Sequence, residues 1–138
     1  GVCVARGAKG GAVLGLQMPN TPQYVVAFIA AARLGMVSTS ISPLMTPPEI
    51  IHQASDARVK ILMTLMPFWQ TSIPLVLGKV ESLSTVIVSG PMDLVTGQGE
   101  SVKESRDGVN VMSLHVHMPS NADPFSFTHL TLPPNRVD

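Results

Sequence analysis

Hydrophobic and polar positions along this chain switch repeatedly between a strand-like and a helix-like period. Gly7 to Gly11 is a flexible lead-in. Ala12 to Gln17 is a short apolar run bounded by Gly and Pro, which predicts a buried strand. Pro19 and Asn20 break the chain. Thr21 is a suitable N-cap, and Pro22 suits the first helical position, where its missing N–H costs nothing. The helix should run from Pro22 to about Leu34 and stop at Gly35. Val25, Phe28, Ile29 and Ala32 form one stripe on it, but Tyr24 and Val26 make it apolar nearly all round. Such a helix is expected to be buried on more than one side.

Val37 to Ile41 predicts a second strand, and Ser42 to Met45 a loop. Thr46-Pro47-Pro48-Glu49 is a capping box: the Thr46 hydroxyl can accept from the Glu49 amide, and the Glu49 carboxylate from the Thr46 N–H. Ile50, Ile51, Ala54 and Ala57 line one face of the following helix, expected at Pro47–Asp56. Val59 to Thr64 is a third strand. Phe68 to Val80 has helical spacing through Trp69, Ile73, Val76 and Val80, but Pro74 implies a kink or two short pieces. Thr85 to Val88 is a fourth strand, Ser89 to Gly108 a long polar loop, and Val109 to Leu114 a fifth strand. Strands alternating with helices predict an α/β fold, a mostly parallel sheet of about four or five strands flanked by helices. Continuous apolar strands agree, because a parallel sheet is covered on both faces. The expected core includes Leu14, Leu16, Val25, Phe28, Ile29, Ile50, Ile61, Met63 and Val86. From Met118 the chain has four prolines and no period, so residues 1–117 read as a partial domain and 118–138 as an irregular tail.

The chain has 138 residues, of which only 13% are charged, about half the usual share. So few charges suggest a surface that expects to be covered by other protein. A formal net charge of zero excludes the footprint of a nucleic-acid binder or a polybasic membrane patch. The apolar run Val25 to Ala32 ends at Arg33, far short of the roughly 20 residues of a spanning helix. Cys3 is the single cysteine, which excludes a disulfide framework and fits an intracellular setting, cytoplasmic or organellar. The start at Gly1, without the pattern of a signal peptide, reads as a fragment or processed terminus.

Little in the chain suggests chemistry. Gly7-Ala8-Lys9-Gly10-Gly11 precedes a strand, whereas a phosphate loop follows a strand and opens a helix. His115 and His117 would share one face of an extended strand end, with Asp123, His129 or His52 as conceivable third ligands; no recognised metal spacing is present. Glu49, Asp56, Asp93, Glu100, Glu104 and Asp107 form no acid–base pair, and Ser40, Ser42 and Ser126 lack a nucleophile elbow.

Leu16-Gln17-Met18-Pro19-Asn20-Thr21-Pro22-Gln23-Tyr24, then Ala27-Phe28, then Arg33-Leu34-Gly35-Met36-Val37, resembles the "LLPNSPEY…AF…RAGAV" pattern of AMP-forming acyl-CoA synthetases. Ser42-Pro43-Leu44 with Thr46 to Glu49 is similar to the family's "NPLYTPEEL". His52-Gln53 and Ser55 to Val59 are similar to the run that follows. The likeness covers about fifty contiguous residues and is nearest the fatty-acid and 4-coumarate-CoA ligase-like branch. It implies part of the large N-terminal domain of an adenylating enzyme, which uses ATP and Mg²⁺ to convert a carboxylic acid to an acyl-adenylate and then acylates CoA.

The family's Gly-rich phosphate loop should come near residue 128, where the chain instead reads Ser126-Phe127-Thr128-His129-Leu130-Thr131-Leu132-Pro133-Pro134-Asn135-Arg136-Val137-Asp138. Without glycines the backbone cannot close round phosphates. The family's acyl pocket, its ribose- and Mg²⁺-binding acids and its catalytic lysine lie further on than this chain reaches. No residue here is therefore assigned a catalytic, ATP-binding or metal-binding role, and no cofactor is expected for this chain alone. The resemblance implies an acyl-CoA synthetase fragment, inactive by itself and prone to self-association through exposed apolar surface. The alternative is a non-catalytic interaction module that kept the scaffold.

Overall fold

The computed structural model describes residues 10–90 and 103–114. Its strands are β1 (Val13–Gln17), β2 (Val37–Ser40), β3 (Val59–Leu65), β4 (Thr85–Ser89), β5 (Lys103–Arg106) and β6 (Val109–Ser113). Its helices are α1 (Pro22–Arg33), α2 (Pro47–Asp56) and α3 (Met66–Thr71), with a 3-10 turn at Ile73–Leu75. The strands form one sheet in the order β2-β1-β3-β4-β6-β5. Every pairing is parallel except β5 with β6. The expected α/β architecture is therefore present, and no antiparallel hairpin interrupts residues 12–64.

The central strand shows why. Six of the seven residues of β3 are buried, which requires cover on both faces. Successive side chains point to opposite sides, except that a register shift against Val13 and Leu14 skips one residue between Val59 and Ile61 and puts those two on opposite faces. Ile61, Met63 and Leu65 join Leu14, Leu16, Ala27 and Ala31 under α1. Val59 and Leu62 join Ile50, Ala54, Trp69 and Ile73 under α2 and α3. Of the expected core, Leu14, Leu16, Ile50, Ile61, Met63 and Val86 are buried.

Val25 and Phe28 are not. They are 53% and 50% exposed, and Ile29 is half-buried. Helix α1 instead buries Gln23, Ala27 and Ala31, one residue per turn along a single stripe. The two alanines let the helix backbone lie close to the sheet. The larger apolar residues are rotated away from it, so the expectation of burial on more than one side is corrected to burial on one. An apolar residue all round a helix says that several faces avoid water, but not which face this sheet takes.

The polar stretch Ser89 to Gly108 also requires correction, because it contains β5. Asp107 and Gly108 both have positive φ, at 51° and 76°, and close a tight hairpin to β6. Arg106 stacks over the buried Trp69 ring at 5.8 Å from its centroid and pairs with Glu104 at 3.1 Å. The hairpin is thus tied to α3 by a side chain that reads, in sequence, as a solvated charge. The segment Phe68 to Val80 divides into two short pieces around Pro74: α3, which starts two residues earlier at Met66, and the 3-10 turn. Val80 lies beyond both, though it is buried.

Gly35 stops α1 as expected. Its φ is 69°; its N–H donates to Ala32 O at 3.1 Å, and the Met36 N–H to Ala31 O at 2.9 Å, the paired bonds of a Schellman motif. Cys3, His115, His117, residues 118–138 and the proposed boundary after residue 117 lie outside the described residues.

Candidate functional site

In a sheet of this order the chain leaves β1 toward β2 on one side and β3 toward β4 on the other. The crevice at the carboxyl ends of β1 and β3 is where such folds place ligands. The residues that build it are polar and buried. Gln17 ends β1 opposite Thr64 of β3, and the Thr64 hydroxyl donates to Gln17 Oε1 at 3.1 Å. Both are fully buried. Gln17 Nε2 has no hydrogen-bond partner among the described residues, an expensive state for a buried amide. Ser89 ends β4 and Ser113 ends β6, also buried. On the α1 side, Gln23 Nε2 donates to Gly90 O at 3.0 Å and ties the first turn of α1 to the exit of β4. Sequence reasoning assigned no role to Gln17, Gln23 or Thr64. The available signal was a polar residue closing an otherwise apolar strand.

Two helix N-termini face the same edge, and they are finished differently. At α1 the Thr21 hydroxyl donates to Met18 Sδ at 3.6 Å and forms no cap bond; the Thr21 carbonyl accepts the Tyr24 N–H at 3.0 Å. At α2 the capping box is present in both directions. Glu49 Oε2 accepts the Thr46 N–H and the Thr46 hydroxyl, each at 2.8 Å. The Thr46 side chain stands on the Glu49 backbone N–H in return, so the box has the reciprocal form expected, with the hydroxyl's own proton going to the carboxylate. The positive end of α2 is therefore occupied by the chain's own carboxylate.

The Thr46 N–H, and then its hydroxyl, hold the Glu49 carboxyl below its ordinary pKa. A depressed carboxyl contributes stability above its unfolded pKa and loses it as pH falls through the lower folded value. Acid titration of stability should therefore show a loss in that window that disappears in Glu49→Gln. Thr46→Ala removes the hydroxyl donor but keeps the N–H, and should cost about 0.5–1 kcal/mol at neutral pH. Urea midpoints equal to the parent's for both variants at both pH values would show that the box contributes nothing.

Four arginine and lysine residues lie at the opposite edge. Arg33 ends α1, Arg58 and Lys60 begin β3, and Arg106 pairs with Val109 at the start of β6. All four belong to the amino edge of the sheet. Arg58 and Lys79 line an open cleft of about 610 Å³ with Ser55, Glu81 and Ser82. A second groove of about 540 Å³ runs along α2 past Met45, Pro48, Glu49, His52, Gln53 and Asp56. His52 and Asp56 are one turn apart there, but no three His, Cys, Asp or Glu residues converge among the described residues. Among the described residues the strands close at this carboxyl edge in neutral amides and hydroxyls at Gln17, Thr64, Ser89 and Ser113, with the Glu49 carboxylate at the α2 N-terminus and Lys103, opposite Met112, at the same edge. The four buried neutral side chains do not by themselves fit a magnesium-bound triphosphate, which needs cations, carboxylates and close-approaching glycine backbone.

Residues 3–129 match the family described as AMP-binding enzyme. Over 47 residues the chain is 47% identical to 4-coumarate--CoA ligase 2 of Nicotiana tabacum, covering 34% of this chain and 9% of that protein. An anthranilate CoA ligase crystallised with anthranoyl-AMP superposes with a TM-score of 0.60 at 25% identity, over 63% of this chain and 17% of that one. The acetoacetyl-CoA synthetase of Streptomyces lividans gives a TM-score of 0.63 at 22% identity, over 81% and 17%. This chain therefore spans less than a fifth of each of these relatives.

Proposed function

Because the chain belongs to the AMP-binding enzyme family and lies in the N-terminal part of its AMP-forming ligases, we propose that it is a scaffold segment of an ATP-dependent acyl-CoA ligase, inactive on its own. The observation that carries this reading is the pairing of a family match over residues 3–129 with coverage of 9% of the tobacco relative. Two further facts support it. Residues 126–138 contain neither glycine nor lysine, and the described strand ends Gln17, Ser89 and Ser113, with Thr64, are buried neutral side chains.

In the longer protein, ATP and its Mg²⁺ would supply the activating chemistry. A carboxylate oxygen attacks the α-phosphate, pyrophosphate leaves, and the CoA thiol then displaces AMP from the acyl-adenylate. The contribution of this segment is architectural. Its parallel strands fix the carboxyl edge, and the Gln17–Thr64 bond holds β1 against β3 beneath it. The similarity to the tobacco 4-coumarate--CoA ligase favours an aromatic acid of the 4-coumarate kind over a fatty acid as the longer protein's substrate. A dependence on ATP and CoA supports an intracellular setting for that protein. No helix among the described residues is long and apolar enough to cross a membrane.

The exposed Val25 and Phe28 of α1 belong to this reading as a face that meets further protein. In isolation that face should drive concentration-dependent self-association, weakened in the Val25→Ser/Phe28→Ser double variant. Sedimentation velocity tests it. A parent chain that stays monomeric at the highest attainable concentration would contradict an incomplete surface and favour a self-sufficient module.

A further inference from the structure

We draw no further inference here: the strongest candidate, the open cleft at the carboxyl end of α2 lined by Ser55, Arg58, Lys79, Glu81 and Ser82, carries nothing, because its two exposed cations are opposed by Glu81 and by the negative end of the helix and nothing in the structure marks a ligand there.

Discussion

Ile61→Ala is expected to destabilise the fold by about 3 kcal/mol, within the usual range for emptying a buried aliphatic site. Ile61 is 1% exposed and sits on the central strand, paired with Leu14 of β1 and Thr85 of β4. Its side chain packs in the cluster beneath α1, where strands on both sides limit collapse around the lost atoms. The transfer term and the residual cavity therefore both count. Phe28→Ala removes a larger side chain, yet should cost well under 1 kcal/mol, because Phe28 is half exposed. Chemical denaturation of the two variants side by side decides the matter. Equal losses would mean that α1 does not pack on the sheet by its alanine stripe.

Gly15→Val is expected to cost about 1–3 kcal/mol through overpacking. Gly15 is buried in β1, between Leu14 and Leu16. A Cβ placed there would meet Val59 Cγ1 at 3.1 Å, Ile41 Cδ1 at 3.2 Å and Leu62 Cδ1 at 3.2 Å. Two of these side chains come from β3 and one from the residue after β2, and all three belong to the cluster beneath α2 and α3. One could yield, but not all three without shifting β3 or the end of β2. The Gly15 backbone does not adopt positive φ, so the penalty is steric. A thermal midpoint equal to or above the parent's would show slack on that face of the sheet.

Where local chemistry decided structure, the sequence was informative. Thr21-Pro22 and Thr46-Pro47 mark the starts of α1 and α2, and Gly35 the end of α1, because caps and prolines act within a few residues. Continuous apolar runs marked β1, β3 and β4 for the same reason. What could not be read was set by partners distant along the chain. Lys103–Arg106 has no apolar alternation, and it becomes a strand because β6 offers it an edge and Trp69 accepts Arg106. The Asp107-Gly108 turn was a legible hairpin signal, outweighed by the polar run before it. Val25 and Phe28 look like core until α1 is seen to use Ala27 and Ala31. The site was less legible than the fold. Gln17 and Gln23 acquire meaning only when the sheet order brings Thr64 and Gly90 to them.

The central claim is that this segment supplies scaffold and not chemistry. Positioning and charge stabilisation account for most of the rate in phosphate transfer. In residues 126–138, where the family's phosphate loop would fall, Arg136 is the one lysine or arginine. The most direct measurement is pyrophosphate release from ATP by the purified chain, with Mg²⁺, CoA and either 4-coumarate or a fatty acid. The account predicts release at the no-enzyme background for both acids. Release above background that is lost in Arg136→Ala would contradict it, because the segment would then carry a phosphate site of its own.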